Sequence, residues 1–291
     1  MVNVAIVEKR VAITSGAVRP GRDNIAAPDL PASLTWVGDA PESMPSLTAG
    51  GPAIVHFLDF AQLNSVRTLP YLAEWSRRYR GFGLSLIGVQ APRFPFGADP
   101  EAVAAGLAAL GVEFPVAIDA ERELWHAYGC EGWPSLFLWS LGGSLAWAHF
   151  GEGEYRATEE AIQAELREID ALRELPAPMD PVRPSDAPGI EVIAPTPEVF
   201  PGGPWEQPWV ANDEDPALAL DYQAGGAYVT VEGEGTIEAE LDGEWLAPIP
   251  VGPHPALHPV AEHPSHEAHT LVLRPSPGLR IWSVSFAAGL P

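Results

Sequence analysis

The sequence predicts an α/β domain with a mixed sheet, followed by an all-β, jelly-roll-like sandwich. Up to about residue 175, short apolar runs alternate with segments of helical periodicity, which is typical of an α/β domain. A proline-rich stretch follows, and beyond it polar and apolar residues alternate between glycines and prolines, as in antiparallel sandwiches. A length of 291 residues suits two such domains.

The first part consists of strands separated by helices. Ala53–Leu58 and Leu84–Val89 are short apolar runs typical of buried strands, and Val66–Tyr79 between them carries an apolar stripe at helical spacing. Asp99 and Pro100 supply an N-cap and a first-turn proline for a second helix. The remaining predicted elements are a strand at 114–118, a short helix at 121–128, a hairpin of strands 135–139 and 145–150, and a last helix capped by Thr158 and running to about 174.

The chain divides at its proline-rich stretch. Residues 175–189 contain five prolines in fifteen residues, which excludes a helix and predicts an extended, semi-rigid linker. We therefore expect an N-terminal arm or strand (1–29), an α/β domain (30–175), a linker (176–189) and a β-sandwich (190–291). Strands are predicted at 3–7 and 11–14 in the arm, and at 227–232, 235–241, 269–273 and 279–286 in the sandwich.

Charge and composition exclude several classes of function. The formal net charge is −23, so the chain repels phosphate backbones and anionic lipid, and we expect neither nucleic acid nor a membrane as a partner. No apolar run is long enough to cross a bilayer, and the first residues lack the features of a secretory signal, which favours a cytoplasmic protein. No catalytic triad, phosphate-binding glycine loop or zinc-protease motif is present, so no cofactor is predicted.

A set of short motifs carries a family resemblance. They include Arg67-Thr-Leu-Pro-Tyr71, Trp125-His-Ala-Tyr-Gly129, Trp133-Pro134 and His149-Phe-Gly-Glu-Gly-Glu-Tyr155. Their order and spacing resemble the thioredoxin-like domains of the TlpA and DipZ type. Most of the chain resembles the soluble C-terminal half of DipZ proteins, which implies a thioredoxin fold followed by a β-sandwich similar to a carbohydrate-binding module. Further matching segments are Gly83–Val89, Pro92 with Phe94, Asp99–Glu101 and Phe114–Asp119.

The chain departs from this family at its chemical centre. The family carries Cys-x-Asn-Cys at the start of the first long helix, whereas Gln62 and Ser65 stand here in the two cysteine positions, around Asn64. Thiol–disulfide exchange needs a thiolate as the attacking group. A glutamine amide is no nucleophile, and a serine hydroxyl is too weak an acid to ionise there. Dithiol oxidoreductase chemistry is therefore excluded at this site, and the motif is interpreted as vestigial.

The remaining fold offers a candidate peptide-binding edge. Trp133–Pro134 matches the family's cis-proline, so the resemblance implies a cis bond and a backbone edge that binds an extended partner chain. Gln62, Asn64 and Ser65 are expected to add neutral hydrogen-bonding groups at the same rim, and the helix N-terminal amides to attract an anion. Two interpretations stay open: a peptide- or protein-binding module, and an inert scaffold.

Two residues suggest enzymes of other classes. Cys130 is the single cysteine, which permits a one-cysteine peroxidase or sensor thiol, although the adjacent Glu131 disfavours the thiolate and free cysteines are mostly packing residues. Ser65 at a helix start is similar to the hydroxyl with which some glutathione transferases activate their thiol. Those enzymes carry an all-helical second domain, whereas a β domain is predicted here.

The C-terminal part holds two further candidate sites. Its clustered histidines suggest zinc or copper, but strand spacing of three residues places neighbours on opposite faces, and the interspersed prolines predict an irregular, solvated surface segment. Its tryptophans suggest stacking on sugar rings, against the alternative that they fill the sandwich core. The histidines are His254, His258, His263, His266 and His269, and the tryptophans are Trp205, Trp209, Trp245 and Trp282.

Overall fold

The computed structural model describes residues 17–18, 25–212 and 216–291. The arm strands predicted at 3–7 and 11–14 lie outside the described residues. None of the helices in the described part of the chain has the length and apolar character needed to span a bilayer.

The first domain has a thioredoxin-type mixed sheet of seven described strands in the order β1-β7-β6-β3-β4-β5-β2. Strands β3, β4 and β5 are parallel, and the other pairings are antiparallel. The strands are β1 (Ala17–Val18), β2 (Thr35–Val37), β3 (Ala53–Leu58), β4 (Ser85–Gln90), β5 (Val116–Ile118), β6 (Ser135–Trp139) and β7 (Leu145–Phe150). The helices are α1 (Met44–Thr48), α2 (Leu63–Tyr79), α3 (Pro100–Ala109), α4 (Glu123–Ala127) and α5 (Tyr155–Ile169).

Side-chain alternation along the central strand β3 builds a core on each face of this sheet. Ile54 and Leu58 belong to a hydrophobic cluster with α2, α3 and α5. Val55 and Phe57 point the other way and belong to a second cluster with α1 and α4. Every residue of β3 is buried, which agrees with the prediction of a buried strand. The sheet is thereby held between two helical layers, and the loop after β3 is fixed at its edge.

The last helix, α5, begins four residues earlier than predicted. It starts at Tyr155 after Glu154, which adopts a left-handed conformation at φ 50°, and it ends at Ile169 instead of near residue 174. The predicted cap, Thr158, lies inside the helix, is buried and accepts a hydrogen bond from Trp147 Nε1 at 3.2 Å. Its hydroxyl therefore hydrogen-bonds inside the domain, and the prediction that Thr158 caps the helix was wrong.

The second domain is all-β and antiparallel. Its strands are β8 (Trp209–Val210), β9 (Leu218–Glu232), β10 (Gly235–Leu241), β11 (Glu244–Trp245), β12 (Ile249–Val251), β13 (Ala256–Pro275) and β14 (Arg280–Ala287). The long strands β9 and β13 pair with a register shift between Glu262 and Glu267. The segments on both sides of this shift contribute to one hydrophobic cluster, so the sheet folds over itself into two layers, as expected of a sandwich.

The proline-rich stretch lies against the first domain. Tyr71 Oη accepts a hydrogen bond from the Val182 amide and donates one to Asp186, both at 2.7 Å. Met179 N donates to a carboxylate oxygen of Glu159 at 2.9 Å. These bonds tie the stretch to α2 and α5, so it positions the second domain instead of acting as a free spacer.

Candidate functional site

The loop that follows β3 carries the vestigial motif, and its first residue has become a helix cap. Gln62 is the N-cap of α2, and its Oε1 accepts a hydrogen bond from Ser65 N at 2.7 Å. The unpaired amides of a helix N-terminus need such an acceptor. The Ser65 amide is therefore occupied by the protein itself, and the anion site expected at the helix N-terminus loses this donor.

The second motif position, Ser65, was predicted to lie at the rim of the site, but the structure places it in the interior. Its side chain is fully buried, and its hydroxyl accepts a hydrogen bond from Asp59 N at 3.2 Å. The Asp59 carboxylate in turn accepts from Ala61 N at 2.8 Å and from Arg93 N at 2.7 Å. Burial raises the pKa of Asp59, while the charge of Arg93 acts in the opposite direction. The motif is thus a closed network in which buried polar groups satisfy one another.

The predicted cis bond lies beside this loop. The Trp133–Pro134 peptide bond is cis, as predicted. The Trp133 indole donates a hydrogen bond to the Ala91 carbonyl at 2.9 Å and packs on Trp125 with 4.4 Å between ring centroids. Within the described part of the chain, neither the backbone amide nor the backbone carbonyl of Trp133 forms a hydrogen bond. This edge is therefore open to a partner chain.

The second domain packs directly over the motif loop. Thr230 Oγ1 donates a hydrogen bond to the Ala61 carbonyl at 3.0 Å. Trp282 packs against Phe94 and Phe96, with centroid distances of 5.1 and 5.6 Å, and joins the hydrophobic cluster of the first domain. Trp282 is buried, but at the domain junction and not inside the sandwich, where it was expected. The second domain therefore forms one wall above the lost dithiol position.

A cavity of about 490 Å³ remains between the two domains at this position. The first domain lines it with Gln62, Arg93, Arg122 and Trp133, and the second part of the chain with Glu198, Phe200 and Trp205. Its size is within the range of small-molecule and peptide side-chain sites. We call this cavity the junction pocket.

Two arginines dominate the electrostatics of the junction pocket. Arg93 Nη2 pairs with Glu198 at 2.6 Å, and the other oxygen of Glu198 accepts from Ser285 Oγ at 2.9 Å. Arg122 donates to the Pro92 carbonyl at 2.5 Å, and its guanidinium lies 5.2 Å from the Trp133 ring centroid. The pocket thus combines cationic groups with aromatic walls, which suits anions and planar apolar groups.

The comparison with curated proteins gives the same relationship as the motifs. Protein DipZ of Mycobacterium tuberculosis and of Mycobacterium bovis is 28% identical over 300 residues. The chain is similar to DipZ. The match covers 89% of this chain and 42% of each DipZ protein, so the chain spans less than half the length of these relatives. SUPPRESSOR OF QUENCHING 1 of Arabidopsis thaliana is 24% identical over 139 residues, covering 48% of this chain and 13% of that protein.

Among solved structures, a putative thiol:disulfide interchange protein DsbE from Chlorobium tepidum aligns with a TM-score of 0.43 at 22% identity, covering 48% of this chain and 95% of that chain. A secreted Mycobacterium tuberculosis disulfide oxidoreductase aligns with a TM-score of 0.35 at 15% identity, covering 40% and 84%. No protein-family model matches the chain.

Cys130 is poorly placed for thiol chemistry in this DipZ-like chain. It is a free, buried cysteine in the cluster that contains Trp125 and Tyr128. Burial raises the pKa of its thiol to about 12, and the nearby charge of Asp119 acts in the same direction. A reactive cysteine needs an accessible thiolate near positive charge. The environment of Cys130 thus supports its interpretation as a packing residue.

The histidine segment is ordered differently from the prediction. From His258 to His269 it lies within the continuous strand β13 instead of an irregular surface segment, and His254 precedes this strand. The register shift brings His263 and His269 onto the same face, where their rings stack at 3.9 Å. His263 shares a hydrogen bond of 2.8 Å with Tyr222 Oη, and His269 one of 2.7 Å with Asp242. Among the described residues, no group of three or more His, Cys, Asp or Glu side chains is arranged to hold a metal ion.

The other tryptophans of the second part lie in three different environments. Trp205 lines the junction pocket and is 44% exposed. Trp245 is 59% exposed, outside the pocket, and carries Arg274 over its ring at 5.0 Å. Trp209 is half-buried against the sandwich cluster. An exposed stacking surface for a sugar is therefore confined to Trp245 and Trp205.

The sequence correctly predicted that Gln62 and Trp133 lie at one site. It gave no prediction for Arg93, Arg122 and Glu198, which line the same pocket. The only signal for Arg93 is its place between the matched residues Pro92 and Phe94. Glu198 follows the linker by nine residues and carries no motif. Only the docking of the second domain brings it next to Arg93.

Proposed function

We propose that this chain is a redox-inactive, thioredoxin-like module that binds an extended peptide or a segment of a partner protein in the junction pocket. The observation that carries the proposal is an open pocket of about 490 Å³ beside the cis-proline. The family's reactive thiols are replaced there by the cap Gln62 and the buried Ser65. The site thus keeps a place for a substrate-like chain and lacks the group that would react with it.

The free backbone of Trp133 supports a peptide as the ligand. An extended chain that pairs with an unused backbone edge gains main-chain hydrogen bonds, and adjacent pockets then select its side chains. The junction pocket lies next to this edge, because the Trp133 ring forms one of its walls. A peptide on the edge would therefore place one side chain or its terminus in the pocket.

The three alternative functions have weaker support. A thiol-dependent antioxidant enzyme requires Cys130 to ionise, which its burial opposes. Carbohydrate binding by the second domain would rely on Trp245, whose exposed ring has Arg274 over one face, and on Trp205, which lines the junction pocket. The glutathione-transferase alternative requires an accessible Ser65, and this residue is buried. The cytoplasmic location stays a prediction.

The test compares two exposed tryptophans on the full chain. An array of random ten-residue peptides is probed with wild type, Trp205→Ala and Trp245→Ala, and hits are measured by titration. We expect peptide hits whose affinity falls about tenfold or more in Trp205→Ala and is unchanged in Trp245→Ala. An insulin-reduction assay should give no activity for wild type. A complete lack of peptide hits, equal binding by the two variants, or disulfide turnover would each contradict the proposal.

A further inference from the structure

The junction pocket carries an excess of positive charge, which defines the ligand further. The chain has 16 basic residues against 39 acidic ones, yet the pocket walls contain two arginines and one glutamate. We propose that the pocket binds a carboxylate carried on a planar, apolar group. This inference rests on the proposed function and names the chemistry of the group that enters the pocket.

Arg93 has unused hydrogen-bonding capacity. Its side chain is 9% exposed, and Nη2 is occupied by Glu198 at 2.6 Å. Its Nη1 is buried and has no hydrogen-bond partner among the described residues. A guanidinium binds carboxylates through two parallel N–H groups, and a buried donor without a partner is costly. A small shift of this side chain would give a ligand carboxylate the second donor that Glu198 leaves unused.

Arg122 supplies a cation that has no carboxylate partner in the described part of the chain. Within the described residues, no acidic side chain lies within 4.0 Å of it. Its backbone adopts a left-handed conformation at φ 57°, which is uncommon for a residue other than glycine. This conformation accompanies the contacts of its guanidinium with Pro92 O and the Trp133 ring. The second cation is therefore fixed at the pocket wall and available to an anion.

The remaining walls select what carries the carboxylate. Trp133, Phe200 and Trp205 provide three aromatic side chains around the two guanidinium groups. Arg93 already lies within 6.0 Å of the Phe200 centroid and 5.9 Å of the Trp133 centroid. Flat apolar groups pack on such walls by offset or edge-to-face contacts. Because Glu198 offsets one of the two positive charges, a single carboxylate balances the site.

Two kinds of ligand carry a carboxylate on a planar, apolar group: a free aryl carboxylate, and the C-terminus of a peptide that ends in an aromatic residue. The test is isothermal titration of the full chain with four probes: phenylacetate, phenylacetamide, and N-acetyl-Gly-Phe as free acid and as C-terminal amide. We expect at least one acid to bind and its matching amide to bind about tenfold more weakly or not at all, because a charge-assisted hydrogen bond is lost. Binding of phenylacetate alone identifies a free aryl acid, and binding of the dipeptide acid identifies a peptide terminus.

Charge variants decide which residues hold the anion. Arg122→Gln should weaken acid binding about tenfold or more, and Glu198→Gln should strengthen it, because the competing carboxylate is removed. Arg77→Gln, which removes an arginine 73% exposed near the end of α2, is the matched control and should bind as wild type does. If Arg122→Gln fails to fold, the strengthening by Glu198→Gln decides the test by itself.

Three outcomes would overturn the inference. They are binding of no acid, equal binding of acids and amides, and equal effects of Arg122→Gln and Arg77→Gln. In each case, peptides from the random array that bind wild type and lose affinity in Trp205→Ala would leave the proposed function standing. An array without hits would remove the proposed function separately.

Discussion

The motif loop and the junction pocket lie side by side, and they differ in whether their polar groups are hydrogen-bonded within the protein. In the loop, Gln62, Ser65 and Asp59 hydrogen-bond to backbone amides of the loop and its neighbours. In the pocket, the Trp133 backbone and Nη1 of Arg93 are left unpaired within the described residues. A closed network stabilises a fold, whereas an unpaired backbone edge is available to a ligand, and the buried Nη1 becomes available once its side chain shifts. Under the proposed function, the two motif positions therefore have a structural role, and the neighbouring pocket binds the ligand.

The largest expected effect is restoration of chemistry at the closed loop. Gln62→Cys combined with Ser65→Cys should form a redox-active disulfide, because the two positions start a helix whose N-terminal partial charge favours a thiolate. The negative protein field and Asp59 should keep that thiol less acidic than in an active relative. Thiol titration and an insulin-reduction assay measure the result. Neither single variant should turn over disulfides, and a folded double variant whose two introduced thiols stay free under mild oxidant would show that the register assigned to the motif is wrong.

Removing the centre of the closed network should destabilise the fold strongly. Asp59→Ala leaves the buried amides of Ala61 and Arg93 without their acceptor, which costs about 1–3 kcal/mol for each group. Arg122→Gln in the pocket should change the free energy of unfolding by less than about 1 kcal/mol, as for surface substitutions. Urea unfolding curves of both variants provide the comparison. Similar losses from the two substitutions would remove the distinction between a closed loop and an open pocket.

Acid should destabilise the closed interior through two buried histidines. His56 and His149 flank Leu136 on neighbouring strands, and both nitrogens of each ring lack partners in the described part of the chain. Burial lowers the pKa of His56 to about 3 and also lowers the pKa of His149. The unfolded chain binds these protons first, so stability falls as pH drops below about 6.5, by roughly 2 kcal/mol from His56 between pH 7 and pH 5.

His56→Leu should flatten this pH dependence, since it removes the group with the lowest pKa and fills the apolar site. The raised pKa of Asp59 acts in the opposite sense, because a carboxyl protonated more readily in the folded state gains stability on acidification. Unfolding curves at pH 7, 6 and 5 measure the slope. A slope that His56→Leu leaves unchanged would assign the acid sensitivity to other groups.

The last expected effect concerns the contact that joins the two domains over the loop. Thr230→Val keeps the side-chain shape and removes the hydrogen bond to the Ala61 carbonyl, which is buried. We expect a loss of about 1–3 kcal/mol in the free energy of unfolding, because a buried acceptor is left unpaired. Thr236→Val is the control and should cost less, because the hydrogen bonds of Thr236 to other described residues use only its backbone. Equal costs would indicate that the domain contact adds no stability.

The sequence predicted what depends on local patterns and missed what depends on docking. β3 and α2 followed from an apolar run and a helical stripe, and the cis bond followed from the family resemblance. The start of α5 was misplaced because Thr158 is also a good cap, and only the packed domain shows that Trp147 uses its hydroxyl. Arg93 and Glu198 are 105 residues apart, and no local pattern predicts that two domains bring them together. The stacking of His263 on His269 likewise depends on a register shift that spacing alone does not predict.

The most direct measurement of whether recognition has moved to the junction pocket is the NMR signal of each tryptophan side chain. The indole N–H resonances of Trp133, Trp205 and Trp245 can be assigned with single phenylalanine variants and followed while a peptide hit, or an aryl carboxylate that binds, is titrated into the full chain. The account predicts that the indole N–H chemical shifts of Trp133 and Trp205 change with ligand concentration along the same saturation curve. The chemical shift of Trp245 should not change. A saturating ligand that shifts Trp245 and leaves Trp133 and Trp205 unchanged would contradict it.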